Sequence, residues 1–310
     1  MPKRILFAGD ANIDFQLTGL AAEPREDLEV FCNDFLATLG GSTTIAAAAY
    51  AYLGGACDFC GLVGDDANGR LVSSMLLEAG VGIEMLRKTP EAKTGVTVNL
   101  VRGSTRTQVT YPGTLSMVDE VDTIARMLGS YSHIHISGVY GTPRFLPRAT
   151  EVLRAARSAG LSTSLDTQWD PSEEWSHIGE WLPLLSFLFV NEAEAASLTG
   201  TGIGEEAEAW SRLSERTERP VIKLGPRGAY ADGRAFPARK VVVVDPTGAG
   251  DTFAAAFIYA TVEEGAALAG AVSFAQAAGA VACGYAGGVS PLLTRDRVRE
   301  LQRWTHAASP

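Results

Sequence analysis

The segment over residues 241–260, VVVVDPTGAGDTFAAAFIYA, combines a glycine turn with a carboxylate at a predicted helix start. Its apolar run ends at Asp245, and the Gly-Ala-Gly turn at 248–250 leads into a helix predicted to begin near Asp251. Glycines let the backbone turn tightly and approach a ligand closely. The free N–H groups of a helix start, together with the helix dipole, form an anion site.

A carboxylate at this place can accept a proton from a hydroxyl that attacks a bound phosphate. The N–H groups can stabilise the charge that develops on the transferred phosphoryl group. The same pattern is also typical of an ordinary N-cap aspartate after a glycine turn. From these residues alone, both interpretations remain open.

Composition and charge narrow the possible classes of protein. The chain has 310 residues, of which 46% are hydrophobic and 20% charged, so it folds around a large core. Its net charge is −10, which argues against a nucleic-acid partner held by a basic surface. Residues 265–294 carry no charge, but they are rich in alanine and glycine. We interpret their helical part as buried against a sheet, and we expect no membrane span.

The four cysteines predict a reducing location. Cys57 and Cys60 form a C-x-x-C pair within a predicted strand, where residues three apart point to opposite faces. Two such ligands do not close a zinc site. The N-terminus, MPKRILFAGD, lacks the long apolar region of a signal peptide. We therefore expect free thiols and a cytoplasmic protein.

Short apolar runs alternate with helical patterns along most of the chain. The predicted strands cover 4–9, 56–63, 132–137, 161–166, 186–190, 220–224 and 240–244. The predicted helices cover about 42–53, 68–79, 119–128, 146–159, 191–198, 205–216, 251–262, 265–283 and 294–306. This order predicts one α/β domain over 1–310, a doubly wound and mostly parallel sheet with helices on both faces. Glycines at 200–204 (GTGIG) follow a helical pattern, so we interpret them as a helix–helix turn.

Two regions, 15–38 and 94–111, lack a helical period. The second, TGVTVNLVRGSTRTQVTY, alternates polar and apolar residues around a Gly-Ser turn, which predicts a hairpin. We infer a small β lid inserted into the α/β body. Because exposed strand edges favour pairing, the lid is also a candidate for forming a homodimer.

The motif DPTGAGDTF resembles the C-terminal signature of the ribokinase-type (PfkB) carbohydrate kinase family. GGSTTIAAAAYAYLGG at 40–55 resembles the N-terminal signature, and GLVGDDANG at 61–69 resembles the turn that follows it. The resemblance covers nearly the whole chain and implies a ribokinase-like fold. It implies that Asp251 is the catalytic base and that Gly248, Ala249 and Gly250 form the anion hole with it.

The resemblance also assigns an acceptor site. GDANIDF at 9–15 resembles the loop that holds substrate hydroxyls, which implies binding by Asn12 and Asp14. Gly40 and Gly41 would open a helix beside the sugar. The family's asparagine four positions later is replaced here by Ile45, so we expect Thr44 or its neighbour Thr43 to supply the missing polar contact.

Further matches imply the nucleotide site. NEAEAASLTG at 191–200 implies that Asn191 and Glu194 organise phosphate and Mg²⁺, the latter through water. KLGPRGAY at 223–230 resembles a nucleotide-contacting strand and turn, with the cofactor-binding candidates Lys223, Gly225, Gly228 and Thr247. The family also implies a monovalent cation, K⁺, near Asp245.

Some polar residues depart from the family pattern or fall outside it. In LDTQWDP, Gln168 and Asp170 stand where the family often has Asn and Arg. Arg102 or Arg106 of the hairpin is a candidate substitute for that arginine. His133 and His135 share a face of one strand. We expect one or both to pack near a sheet edge, or His135 to reach the substrate mouth, rather than a metal site.

These residues together predict an ATP-dependent kinase that phosphorylates a hydroxyl of a sugar or sugar-like small molecule. Two alternatives remain open: a nucleoside kinase of the same fold, and a catalytically silent binding or regulatory protein that keeps the fold.

Overall fold

A computed structural model describes residues 4–102 and 105–303 and contains a large sheet, called the main sheet. Within those residues it has nine strands in the order β13-β12-β11-β10-β9-β8-β1-β4-β5. They are β1 (Ile5–Gly9), β4 (Cys57–Gly64), β5 (Gly82–Thr89), β8 (His133–Ser137), β9 (Ser162–Asp166), β10 (Phe187–Asn191), β11 (Pro220–Lys223), β12 (Ala229–Ala231) and β13 (Arg234–Phe236). Neighbours from β5 to β11 pair in parallel, and β12 and β13 add an antiparallel edge.

Helices cover both faces of the main sheet, as predicted. One face packs α1 (Ser42–Tyr52), α2 (Ala67–Ala79), α8 (Ala249–Ile258), α9 (Leu268–Ala282) and α10 (Arg295–Arg303). The other packs α3 (Val121–Met127), α4 (Ala149–Ser158), α5 (Ile178–Trp181), α6 (Glu192–Thr199) and α7 (Glu206–Ser214). Cys57 lies in the first core and Cys60 in the second, and both thiols are buried and free. The C-x-x-C pair therefore spans the sheet.

A second sheet, called the small sheet, has the order β3-β2-β6-β7. Its strands are β2 (Asn12–Thr18), β3 (Asp34–Gly40), β6 (Gly95–Arg102) and β7 (Thr105–Tyr111). β2 pairs antiparallel with β3 and parallel with β6, and β6 forms the predicted hairpin with β7. The GTGIG segment lies between α6 and α7, in the predicted helix–helix turn. No helix in the described part of the chain is long and apolar enough to span a bilayer.

Several element predictions were wrong. The run at 240–244 is not a strand, because the hairpin of β12 and β13 already occupies this edge of the main sheet. Its valines are exposed, Val242 by 87%. Strand β5 was missed because its residues GIEMLRKT carry three charges and lack an apolar run. Helix α9 packs against α8 and α10 rather than directly on a sheet.

The strand order places a topological switch between β1 and β8. From β1 the chain winds outward through β4 and β5, and from β8 it winds the other way to β11. Open α/β sheets bind ligands at the carboxyl ends of strands beside such a switch. The chain passes from the end of β1 directly into β2, so the small sheet begins at this place.

Candidate active site

The glycine turn before α8 has the geometry of an anion site. Gly248 has φ of +71°, and a Cβ atom on it would lie 2.0 Å from the carbonyl oxygen of Gly288. Only glycine fits there. Helix α8 begins without a side-chain cap, so its first-turn N–H groups stay directed at the space before the helix. The sequence correctly predicted both the turn and the helix start.

Asp251 lies in the first turn of α8 and is buried. Gln168 Nε2 donates to its Oδ1 at 3.1 Å, and Ser42 donates from its hydroxyl. Burial, with the charge of Asp166 beside it, raises the pKa of Asp251 to about 8. A carboxylate tuned toward neutral pH is suited to act as a general base.

A buried ion pair stands next to this carboxylate. Lys223 lies at the end of β11 and Asp166 at the end of β9. Lys223 Nζ donates to Asp166 Oδ2 at 2.5 Å. Burial alone would lower the pKa of Lys223, but Asp166 and Glu194 together raise it. A Cβ atom on Gly250 would lie 3.3 Å from Lys223 Nζ. The ammonium group therefore sits beside the anion turn.

Asn191 and Glu194 form a capping box at the start of α6. The Glu194 N–H donates to Asn191 Oδ1 at 2.8 Å, and the Asn191 N–H donates to Glu194 Oε2 at 2.8 Å. The Thr167 hydroxyl also donates to Glu194 Oε2 at 3.1 Å. The pair is a helix cap, and it also brings a buried carboxylate to the Asp166–Lys223 pair.

The predicted acceptor residues come together at the switch. Asn12 Nδ2 donates to Asp14 Oδ1 at 3.0 Å, and both side chains are buried. A Cβ atom on Gly40 would lie 1.9 Å from Asp14 Oδ1, and one on Gly41 would lie 2.8 Å from Asn12 Oδ1. The glycine pair is therefore required by the approach of these two side chains. Ser42, the next residue, reaches Asp251.

Asp10 is a site residue that the sequence analysis missed. Its carboxylate accepts from the N–H groups of Ser42 (3.0 Å) and Thr43 (2.9 Å) and from the Thr43 hydroxyl (2.6 Å). It thereby caps α1, whose own N-cap residue, Gly41, has no side chain to do so. Its place directly after β1 is the signal that could have identified it.

The small sheet turns a polar face toward the cleft, which the sequence analysis missed in part. Thr97 accepts from Asn12 Nδ2 at 3.2 Å, and Asn99 Nδ2 donates to Asp14 Oδ2 at 3.4 Å. Gln108 Nε2 donates to Asn99 Oδ1 at 2.8 Å. The alternation of β2, β3 and β6 identifies the buried polar set: Asn12, Asp14, Gln16, Thr38, Thr97 and Asn99.

Asp245 is surrounded by hydrogen-bond donors. Its Oδ1 accepts from the Thr247 N–H at 2.9 Å. Its Oδ2 accepts from the Gly287 N–H and from Gln16 Nε2, both at 3.0 Å, and the Thr247 hydroxyl also donates to the carboxylate. A carboxylate offers about four acceptor positions. These donors fill them, so the residues present do not fit the monovalent cation that the resemblance implies.

Other predicted contacts lie elsewhere. Thr44 is fully buried and its hydroxyl donates to the carbonyl oxygen of Gly41 at 2.9 Å, so it is not available to an acceptor. The Thr43 hydroxyl is likewise committed, to Asp10. The side chain of Ile45 packs against Gly288. Asp170 accepts from the N–H groups of Ser172 and Trp175 and stabilises its own loop.

The remaining predicted residues lie at the rim or in the core. Gly225 borders open space after β11, whereas Gly228 packs against the end of β13. Arg102 lies 4.0 Å from Glu23 and is half exposed. The side chain of Arg106 lies outside the described residues.

The two strand histidines were predicted to lie near a sheet edge, and this was wrong. His133 and His135 are fully buried on β8, an interior strand, and both bond the Ser164 hydroxyl.

Comparison with known proteins identifies the family of this chain. A profile described as pfkB family carbohydrate kinase matches residues 2–295. The chain is 29% identical to the aminoimidazole riboside kinase of Salmonella typhimurium, covering 95% of this chain and 93% of that protein. It is 30% identical to the ATP-dependent ribose-1-phosphate kinase of Halopiger xanaduensis, with 92% and 93% covered. Its fold matches Arabidopsis thaliana ribokinase complexed with ribose and ATP, with a TM-score of 0.83 at 24% identity over 98% and 99% of the two chains. The chain therefore belongs to the pfkB family of carbohydrate kinases and is a sugar-type phosphotransferase.

Proposed function

We propose that this protein transfers the γ-phosphoryl group of ATP to a hydroxyl of a neutral sugar or sugar-like molecule. The small sheet would cover the acceptor as a lid. One observation carries the proposal. The corner at Gly40–Ser42 joins the two halves of the site, because Gly40 and Gly41 contact the acceptor residues while Ser42 bonds the base, Asp251.

The chemical step follows from this arrangement. The acceptor hydroxyl, held by Asn12 and Asp14, gives its proton to the Asp251 carboxylate as its oxygen bonds to the γ-phosphorus. The bond from that phosphorus to the bridging oxygen breaks, and ADP leaves. The first-turn N–H groups of α8 and the Lys223 ammonium stabilise the negative charge on the transferred group.

The nucleotide would lie along the anion turn, with Lys223, Gly225 and Thr247 on its side of the cleft. The oxygen-rich set at Asn191 and Glu194 fits Mg²⁺ held mostly through water and phosphate oxygens. When bound, the ion neutralises charge on the β- and γ-phosphates. Glu194, already oriented by its cap and by Thr167, would hold that water in place.

The chemistry of the small sheet favours a neutral acceptor. Among its described residues, the face toward the cleft carries amides, hydroxyls and the single carboxylate of Asp14. Such a face matches sugar hydroxyls, which both donate and accept. A riboside is the second candidate, because the Salmonella relative is named for one.

The test measures ADP release from Mg–ATP with pentoses, hexoses, nucleosides and keto-deoxy acids. We expect turnover with one neutral acceptor or riboside. The Asp251→Asn protein is the negative control. Absence of turnover across the panel, with ATP still bound, would instead favour a silent binding protein.

We also infer a homodimer formed through the outer face of the small sheet. That face is apolar: Phe35 is 58% and Val109 61% exposed, and Phe35 stacks on Phe15 with ring centroids 5.6 Å apart. Exposed apolar patches of this kind mark protein interfaces. Light scattering should give twice the monomer mass, and Phe35→Lys should reduce it to the monomer. The matched control is Leu77→Lys, on the exposed surface of α2. A monomeric wild type would contradict the inference.

A further inference from the structure

Gln16 connects the small sheet to the loop that precedes the anion turn. It lies on β2, two residues beyond Asp14 and on the same buried face. Its side chain is almost fully buried, and its Nε2 donates to Asp245 Oδ2 at 3.0 Å. This bond joins two residues 229 positions apart in the sequence. A buried amide of the small sheet that donates to a carboxylate in the loop before α8 is a specific link between the two halves of the molecule.

The link continues into the anion turn. Asp245 holds the Thr247 N–H with one oxygen and the Gly287 N–H with the other. The next residue, Gly288, packs so closely on Gly248 that no Cβ atom fits between them. Movement of Asp245 would therefore shift both segments that shape the anion turn.

The charge of Asp245 is compensated by hydrogen bonds. Burial would raise the pKa of Asp245, but the donors from Thr247, Gly287 and Gln16 lower it below its ordinary value. The carboxylate is therefore ionised, and four N–H and O–H donors occupy its acceptor positions. A monovalent cation at this carboxylate would have to displace one of them.

We propose that the Gln16 amide does at Asp245 what a monovalent cation would otherwise do, so this kinase works without such a cation. Gln16 is a positioning residue: it acts through Asp245 on the anion turn and ties that turn to the acceptor sheet. Only the activity measurements for this role of Gln16 rest on the proposed kinase function.

The activity test compares matched salts. Wild type, Gln16→Glu and Gln16→Met are assayed with the acceptor that the panel of sugars and nucleosides identifies, in KCl and in choline chloride of equal ionic strength. Wild-type kcat should agree between the salts to within about twofold. Gln16→Glu places a second carboxylate against Asp245, so its kcat should fall about tenfold or more in choline and recover in KCl. Gln16→Met removes one donor and should also become K⁺-stimulated.

The matched control is Asn33→Asp, the same amide-to-acid change at an exposed position between β2 and β3. It should behave as wild type in both salts. A wild-type kcat that rises about tenfold in KCl would overturn the proposal, and so would a Gln16→Glu kcat equal to wild type in both salts. If Gln16→Glu does not fold, the salt response of Gln16→Met decides by the same criterion.

A second readout does not need activity. The melting temperature of the nucleotide-free protein is measured in the same two salts. Wild type should melt at the same temperature in both, whereas Gln16→Glu should melt several degrees higher in KCl, because a cation that binds only the folded state stabilises it. Absence of turnover with any acceptor would thus contradict the kinase function, while the melting curves would still test the role of Gln16. K⁺-specific stabilisation of wild type would refute that role.

Discussion

The main sheet and the small sheet bury opposite kinds of side chain. In β1 of the main sheet, Ile5 and Phe7 enter one core while Leu6 and Ala8 enter the other, so both faces are apolar. In β2 of the small sheet, the face toward the cleft buries Asn12, Asp14 and Gln16. On the other face Ile13 is buried in a hydrophobic core, whereas Phe15 and Leu17 are half exposed. The difference shows that the polar side chains of the small sheet are buried at the cleft rather than in a hydrophobic core.

Such a polar face is stable only when its groups are hydrogen-bonded. Asn12, Asp14, Thr97, Asn99 and Gln108 form one connected network across three strands. The main sheet thus contributes the phosphoryl-transfer groups at its strand ends, while the small sheet contributes polar groups prepared for an acceptor. Four changes test this division, from the largest expected effect to the smallest.

Asp251→Asn removes the base supplied by the main-sheet half. We expect kcat to fall about 10²- to 10⁴-fold, because proton transfer to a positioned base contributes about that much. ATP binding, measured by calorimetry, should persist, since the anion turn is unchanged. The control is Asp296→Asn on the exposed side of α10. Normal turnover by the Asp251 variant would exclude it as the base.

Asp14→Asn alters the small-sheet half alone. The acceptor KM should rise about 10- to 100-fold, because a hydrogen bond to a charged group contributes about 1.5–3 kcal/mol. The KM for ATP should stay near its wild-type value. Steady-state kinetics with each substrate varied in turn separates the two. The exposed neighbour change Asp34→Asn is the control, and an equal rise in both KM values would contradict the division.

The pH profile tests how the main-sheet half sets the pKa of Asp251. Its raised pKa, about 8, means that the ionised base forms as pH rises, so kcat/KM should increase through this region. Gln168 donates to the carboxylate and favours the ionised form. Gln168→Leu should move the ascending part of the kcat/KM profile to higher pH by about one pH unit or less. The rates of the variant and of wild type should converge at alkaline pH. An unchanged pH profile would show that Gln168 does not affect the pKa of Asp251.

His133 and His135 are polar exceptions inside the main sheet. Burial lowers the pKa of His133 to about 3 and that of His135 well below its ordinary value, so both stay neutral when folded. Below about pH 6.5 these histidines bind protons in the unfolded chain but not in the folded one. The free energy of unfolding therefore decreases as the pH is lowered. His133→Gln should reduce this slope between pH 6 and 4 by about 1.4 kcal/mol per pH unit. Urea unfolding at several pH values measures it, with His177→Gln, at a partly exposed histidine outside the main sheet, as the control.

The comparison of the two sheets also explains which predictions succeeded. Parallel strands that are buried on both faces have continuous apolar sequences. The bounds of β1, β4, β8 and β10 were therefore predicted to within one residue or two. The glycine turn before Asp251 was equally clear, because its geometry is local. The valines at 241–244 gave the same signal as a strand and are exposed, because pairing depends on whether a sheet edge is free.

The sequence by itself determined the α/β class, the family, and the local devices: the anion turn at Gly248–Asp251, the capping box at Asn191 and Glu194, and the hairpin of β6 and β7. Each depends on residues close together in the chain. Only the tertiary structure decided that Asp10 caps α1, that Thr44 is closed off, and that Gln16 bonds Asp245. Those contacts join distant strands, and no local pattern records which strand ends will meet.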